Sequence, residues 1–173
     1  MKNFVKWIDF INEKVGFLCG WIILVMTLTV TYDVIMRYFF NSPTDWALEL
    51  NMYLLVATSF LSGGYCLLHE GHVRVDILYQ IFSPRIRALL DVITSLFFFL
   101  FIIVIVWKGW QFAYDSFVQG KHSSQAMGWP LYPSQMVIPA GGFLIGIQGL
   151  AKLCKNIITL IKGQDLEKDD ATQ

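Results

Sequence analysis

The sequence predicts an all-α integral membrane protein with four transmembrane helices and a short in-plane amphipathic helix between helices 2 and 3. Two observations lead to this prediction. The chain is 55% hydrophobic and only 15% charged, whereas soluble domains carry about 25% charged residues. The charges also cluster, and they leave four long apolar stretches of about the 20 residues that a membrane-crossing helix needs.

The four predicted spans are continuous apolar runs, unlike the alternating segments of about 10 residues in an outer-membrane barrel. They run from about Val15 to Phe39, from Ala47 to Leu68, from Ile86 to Trp107 with a continuation toward Phe117 left open, and from near Ser134 to Ile161. Residues 1–161 are therefore expected to form a four-helix membrane domain. The last segment, residues 162–173, contains the acidic run DLEKDD and is expected to be a polar cytoplasmic tail.

The starts of spans two to four carry recognisable signals. Ser42-Pro43-Thr44-Asp45 predicts a capping serine, a proline in the first turn and an acid three residues after the cap. Ser-Pro at residues 83–84 and Pro-Ser at residues 133–134 mark the third and fourth spans in a similar way.

Basic residues predict the orientation. Ten Lys and Arg residues lie in the N-terminal segment, the connection between spans two and three, and the C-terminal region. The opposite side has only Arg37, Lys108 and Lys121. Because Lys and Arg are in excess in cytoplasmic flanks, both termini are expected to be cytoplasmic.

The connection between spans two and three is more than a plain loop. Within residues 69–83, Val75, Leu78, Ile81 and Phe82 fall on one helical face. The segment is too short to cross the bilayer, and it suits a helix that lies in the membrane plane or covers a partner.

Charged residues in the predicted spans lie near the span ends. Asp33 and Arg37 are four residues apart at the end of span one, so they can pair on one helical face. Glu49 lies early in span two, where the positive helix end favours acids, and Arg37 is also within reach of it. We interpret these residues as a network that ties two helix ends together. An ion or proton relay and contacts with another subunit remain as alternatives. Arg87 and Asp91 form a similar pair at the start of span three.

No metal, haem or other cofactor is expected. His69, His72 and His122 all lie in connecting segments, so no predicted span offers a histidine to a membrane haem. His69 and His72 are three residues apart, whereas the zinc motif HExxH places its histidines four apart. The zero net charge does not favour a nucleic-acid partner. We also find no nucleotide-binding or nucleophile motif, so no enzymatic activity is expected.

Two segments resemble a known family, and the likeness extends over roughly Lys6 to Ile161. The first is RYFFNSPTDWALE at residues 37–49, and the second is GHVRVD at residues 71–76, just after span two. A third likeness is the proline-containing entry to span four. These features resemble the small membrane subunit (DctQ-like, or Q-type) of tripartite ATP-independent periplasmic (TRAP) transporters.

The resemblance implies a location, partners and a role. The chain would lie in the bacterial inner membrane, in contact with membrane lipid, beside a large (M-type) membrane subunit and a periplasmic substrate-binding protein. The large subunit would import an organic acid, such as a C4-dicarboxylate or sialic acid, with sodium ions. The small subunit would act as a scaffold for it. The structural or partner-interface candidates are Asp33, Arg37, Trp46, Glu49, Gly71, His72, Arg74, Asp76, Arg87 and Asp91.

Two other classes of function remain as alternatives. A self-sufficient small exporter would need an acid near the middle of a span, and Asp33 is the only weak candidate. A membrane anchor of an electron-transfer complex would need histidine or cysteine ligands, which the predicted spans do not offer in a suitable arrangement.

Overall fold

The computed structural model describes residues 2–69 and 84–162 of the 173-residue chain. Within these ranges the chain forms four helices: α1 (Lys2–Phe39), α2 (Asp45–Leu68), α3 (Pro84–Val118) and α4 (Tyr132–Lys162). Each contains a stretch that is long and apolar enough to cross a bilayer. The predicted all-helical, four-span architecture is therefore confirmed. The predicted in-plane helix and the tail beyond residue 162 lie outside the described residues.

The connections define two sides of the molecule. We call one the loop side; it consists of the turn at residues 40–44 and the loop at residues 119–131. The other is the terminal side, where α1 and α3 begin and where α2 and α4 end. Both names are used below without reference to the cytoplasm or periplasm.

Helix α4 is the central helix. It packs along both α2 and α3, while α1 packs along α2 and touches α4 at fewer positions. The outer helices α1 and α3 consequently expose many apolar side chains, among them Phe17, Leu28, Phe97 and Ile103. Such faces are the expected outer surface of a membrane protein, because lipid tails are as apolar as these side chains.

Glycines bring the helices close to α4. A Cβ atom at Gly141 would overlap the backbone carbonyl of Phe60 in α2. On the face toward α3, Gly142, Gly146 and Gly149 lie against side chains of that helix. The GxxxG pattern at Gly142 and Gly146 is therefore a packing surface, as small residues at this spacing allow.

The GxxxG pattern of α1 behaves differently. Gly16 lies so close to Tyr65 of α2 that a Cβ atom would overlap the ring, whereas a Cβ atom at Gly20 would meet open space. Only one glycine of this pair takes part in helix packing within the chain.

Helix α1 begins at Lys2, 13 residues before the predicted span, which starts near Val15. The reason is packing. Ile8 and Asn12 lie one helical turn apart and are both buried. Contacts with the other helices therefore stabilise the first turns of α1. The sequence did not predict these turns, because charged residues interrupt their apolar run and spans are predicted from uninterrupted apolar runs.

The predicted cap of α2 was also wrong. The N-cap residue is Thr44, not Ser42, and Pro43 lies outside the helix. The Ser42 amide donates to the Met36 carbonyl at the end of α1 (3.1 Å). Thr44 makes no side-chain cap bond to its own helix, because its hydroxyl donates to Asp33 of α1.

Substitution of Gly141 tests the contact between α2 and α4. We expect Gly141→Ala to lower the free energy of unfolding by about 1–3 kcal/mol, the usual cost of overpacking, because the added methyl group meets backbone atoms of Phe60. Gly20→Ala is the matched control, since its methyl group enters open space. The measurement is the thermal unfolding midpoint of the purified full chain in detergent. Equal midpoints for Gly141→Ala and the unsubstituted chain would contradict the close approach.

Candidate functional site

The turn between α1 and α2 is organised by Asp33. Its Oδ1 accepts hydrogen bonds from the backbone N–H of Thr44 (2.9 Å) and from the Thr44 hydroxyl. Its Oδ2 accepts from Nη2 of Arg37 (2.8 Å). The predicted pairing of Asp33 with Arg37 is therefore present. The carboxylate also lies at the N-terminus of α2, where the helix dipole favours negative charge.

Asn41 lets the chain reverse between the two helices. Its φ of 50° is in the left-handed region, which asparagine tolerates better than most residues. Trp46 follows in the first turn of α2, and its ring lies 6.1 Å from that of Tyr32 in α1. Asp33 and Trp46 together fix how α2 leaves the turn.

Glu49 is fully buried, with 0% of its surface exposed. Its Oε1 accepts a hydrogen bond from the backbone N–H of Trp129 (2.9 Å), in the loop between α3 and α4. Among the described residues Oε2 has no hydrogen-bond partner. The expectation that Arg37 could reach Glu49 was wrong. Arg37 bonds to Asp33, whereas Glu49 faces the loop between α3 and α4.

Tyr53 adds a second attachment of the same loop to α2. Its hydroxyl donates to the Pro130 carbonyl, and its ring packs edge-on against Trp129, with the centroids 5.7 Å apart. Glu49 and Tyr53 lie four residues apart on one face of α2, so that face holds residues 129–130 by two hydrogen bonds and a ring contact. Neither contact was predicted from the sequence.

A second buried polar group lies toward the terminal side. Nδ2 of Asn12 in α1 donates to Oε1 of Gln148 in α4 (2.7 Å), and Nε2 of Gln148 donates to Oδ1 of Asp9 (2.8 Å). Asn12 and Gln148 are 1% and 4% exposed. Asn12 was not singled out from the sequence, because no pattern indicates that it faces a helix more than 130 residues away.

Gly64 completes this group. A Cβ atom at Gly64 would overlap Oδ1 of Asn12, so a Cα–H of the glycine points at that oxygen. Asn12 Oδ1 has no conventional partner among the described residues, and a Cα–H···O contact of this kind is weakly favourable. The Gly63-Gly64 pair therefore serves close packing, with Gly63 against Ile145 of α4 and Gly64 against Asn12 of α1.

At the end of α2, His69 contacts α1. Its Nε2 lies 2.8 Å from Oε2 of Glu13, and its ring packs against Tyr65. Within residues 2–69 and 84–162 no group of three His, Cys, Asp or Glu side chains could hold a metal ion.

Other candidates from the sequence fall partly outside the described structure. Gly71, His72, Arg74 and Asp76 belong to the residues that the structure does not describe. Arg87 and Asp91 lie on the first turns of α3, but their side chains are likewise not described.

The three polar groups all join segments of this chain. Asp33 joins α1 to the start of α2, Glu49 joins α2 to a loop, and Asn12 joins α1 to α4. In a membrane, hydrogen bonds between helices stabilise association.

Removal of the Glu49 carboxylate tests its hold on the loop. Glu49→Ala leaves the Trp129 N–H without its acceptor, at a cost of about 1–3 kcal/mol for a buried donor. We expect the backbone amide hydrogens of residues 125–129 and 131 to exchange roughly 5- to 150-fold faster in mass-spectrometric hydrogen exchange on the full chain.

Two variants serve as controls for this measurement. Glu49→Gln keeps an acceptor oxygen and should exchange at nearly the original rate. Asp45→Ala removes an exposed acid one turn earlier on α2 and should leave the loop unchanged. Unaltered exchange in Glu49→Ala would show that this hydrogen bond does not hold the loop.

Comparison with known proteins places the chain in a family. Residues 26–159 match the family described as "Tripartite ATP-independent periplasmic transporters, DctQ component". The chain is similar to the ectoine TRAP transporter small permease protein TeaB of Halomonas elongata, with 25% identity over 135 residues that cover 78% of this chain and 69% of that protein. It is also similar to a protein of Haemophilus influenzae described as a TRAP transporter small permease protein, with 26% identity over 90% of this chain and 94% of the relative.

A third relative is the C4-dicarboxylate TRAP transporter small permease protein DctQ of Vibrio cholerae, with 31% identity over 59% of this chain and 45% of that protein. The family match covers most of the four-helix region, and the relatives are permease subunits and not enzymes. The chain thus belongs to the DctQ family of TRAP transporter small permease subunits, and it is a multi-pass protein of the bacterial inner membrane.

Proposed function

We propose that this chain is a scaffold that braces the large (M-type) membrane subunit of a TRAP transporter. The family implies that partner and a periplasmic substrate-binding protein. In the proposed complex the large subunit carries the solute and sodium sites, while the small subunit holds it in place. The solute is an organic acid, and a relative named for C4-dicarboxylate supports this class. Another relative is named for ectoine, so family membership alone does not select one solute.

The observation that carries the scaffold role is the position of the polar groups. The centres of the four helices, residues 15–32, 50–68, 92–107 and 132–151, contain no Asp, Glu, Lys or Arg. Secondary transporters usually hold solute and ions near the bilayer midplane, on interrupted helices. Here the described spans are continuous helices, and the buried Asn12, Glu49 and Gln148 bind groups of this chain.

We further propose that both termini face the cytoplasm, so that the loop side faces the periplasm. The excess of Lys and Arg in the segments of the terminal side supports this orientation. Asp33, Arg37, Trp46 and Glu49 then shape the periplasmic end of the subunit.

The remaining candidates belong to the cytoplasmic end in this orientation. In this proposal Gly71 lets the chain leave α2, and Arg74 and Asp76 fasten the following segment against neighbouring helices or the large subunit. His72 is a further candidate for contact in the same segment. The partial desolvation of such a boundary would strengthen a pair of opposite charges, which if fully exposed would contribute only about 0–1 kcal/mol. We also propose that Arg87 and Asp91, which are four residues apart in the sequence, pair at the start of α3.

Uptake by the reconstituted transporter tests the scaffold role. Liposomes with a sodium gradient should accumulate solute only when this chain, the large subunit and the binding protein are all present. A scaffold changes how much complex assembles and not how the complex binds solute. We therefore expect Glu49→Ala, Arg74→Ala and Asp76→Ala to lower uptake in proportion to the large subunit that copurifies, with the KM for solute and for sodium unchanged.

Two results would contradict this prediction. Uptake by the lone chain would show that it contains a transport site. A change in either KM, at an unchanged amount of assembled complex, would show that the substituted residue contributes to binding. If both Arg74→Ala and Asp76→Ala copurify with the large subunit and support full uptake, these residues do not fasten the segment, and the scaffold proposal is unaffected.

Reporter fusions test the orientation. An alkaline phosphatase fused after Lys121, in the loop at residues 119–131, should be active because that enzyme needs the periplasm, whereas a fusion after Gln173 should be inactive. A fluorescent protein that matures only in the cytoplasm should give the reverse pattern at the same two positions. The opposite pattern with both reporters would invert the proposed topology.

A further inference from the structure

Helix α3 crosses the edge of the hydrocarbon region at Lys108. Residues 92–107 contain no charged side chain and rise about 24 Å at 1.5 Å per residue, close to the roughly 30 Å of a bilayer core. Trp107 and Trp110 are both exposed at this level, as tryptophans at a membrane interface are. Lys108 therefore marks the boundary between acyl chains and headgroups on the loop side.

An open groove of about 490 Å³ straddles this boundary, between α3 and parts of α2 and α4. Its volume is in the range of small-molecule sites, about 300–1,000 Å³. Phe60, Ile105 and Ile138 belong to its apolar lining, and Lys108, Gln111 and Asp115 supply its polar groups. The polar residues are spaced at i, i+3 and i+7, so they form one line along α3.

The two charges in this line do not neutralise each other. They are seven residues apart, about 10.5 Å along the helix axis. The Lys108 ammonium donates to Oε1 of Gln111 (3.2 Å) and lies 5.4 Å from the Trp107 ring centroid, which leaves N–H donors available. Within the described part of the chain, the Asp115 carboxylate has neither an ion pair nor a side-chain hydrogen bond.

We propose that this groove binds one zwitterionic phospholipid with a primary ammonium headgroup, of the phosphatidylethanolamine type. Its acyl chains lie along Phe60, Ile105 and Ile138, its phosphate accepts hydrogen bonds from Lys108, and its ammonium donates to Asp115. The positive and negative groups of the protein follow one another along α3, and they complement a headgroup that carries both charges. The proposal is independent of the scaffold role and of which side is periplasmic.

The charge pattern distinguishes this lipid from an anionic one. Phosphatidylglycerol offers Lys108 the same phosphate, but its headgroup has no cation to pair with Asp115. The Asp115 carboxylate would therefore repel this anionic lipid. A second groove lies on another face of α3 and α4, and residues such as Phe99, Val106 and Phe143 line it. Its lining contains no charged residue, so it should take up lipid tails without selecting a headgroup.

Lipid retention tests the proposal. The full chain would be purified in mild detergent, incubated with equimolar phosphatidylethanolamine and phosphatidylglycerol of identical acyl chains, and washed. The lipids that remain bound would be counted by native mass spectrometry. We expect about one retained phosphatidylethanolamine per chain, favoured over phosphatidylglycerol by about two- to fivefold, as for a partly exposed ion pair.

The variants separate headgroup recognition from general lipid binding. Lys108→Ala should lower retention of both lipids, and Asp115→Asn should abolish the preference between them. Asp115→Lys should reverse the preference toward phosphatidylglycerol, a gain that misfolding would not produce. Lys121→Ala is the matched control, because Lys121 is an exposed lysine on the same side and outside this groove.

Three results would overturn the proposal. The unsubstituted chain could retain the two lipids equally. Asp115→Lys could keep the original preference. In the assembled transporter, a photoreactive residue at Gln111 could cross-link to the large subunit and not to lipid, which would make the groove a subunit contact.

Discussion

The close approach of α2 and α3 to the glycine-bearing faces of α4 is the constraint on which the other contacts depend. In the hydrocarbon interior, helices gain little from hydrophobic burial, so their association relies on close packing and hydrogen bonds. Gly141 admits the backbone of α2, and Gly142 and Gly146 admit α3. Because α1 packs mainly on α2, its position also depends on α4, through α2.

Close packing at glycines does not by itself fix how far one helix is shifted along another, and hydrogen bonds between helices determine this register. A slide of α1 by one residue turns its faces by about 100° and would carry Asn12 away from Gln148. On the loop side, Glu49 and Tyr53 hold the loop between α3 and α4 against α2. Hydrogen bonds between helices average about 0.6 kcal/mol in a membrane protein, so we assign the bond between Asn12 and Gln148 a role in specifying one arrangement more than in adding stability.

The sequence was sufficient for features that depend on neighbouring residues. Four apolar runs predicted four helices, because span length is set by bilayer thickness. The bond from Arg37 to Asp33 followed from a spacing of four residues. The sequence was insufficient where a residue from a distant segment takes a hydrogen bond that a local pattern would assign to a neighbouring residue. Thr44 does not cap its own helix because Asp33 of another helix takes its hydroxyl, and Glu49 bonds to a residue 80 positions away. The turns of α1 that precede its predicted span were not predicted for a related reason, since Ile8 and Asn12 are buried by other helices.

The lengths of the two outer helices bear on the proposed bracing role. Helix α1 has 38 residues, about 57 Å, and α3 has 35 residues, about 52 Å. Both exceed a hydrocarbon core of roughly 30 Å. The charge-free centre of α1 begins at residue 15, so its excess length lies on the terminal side, whereas α3 continues past Lys108 on the loop side. The chain therefore offers contacts at two levels, one on α1 at the terminal side and one on α3 at the loop side. The distance between these levels exceeds the thickness of the hydrocarbon core. A neighbour held at a single level can rock about that contact, but one held at two such levels cannot tilt without breaking one of them.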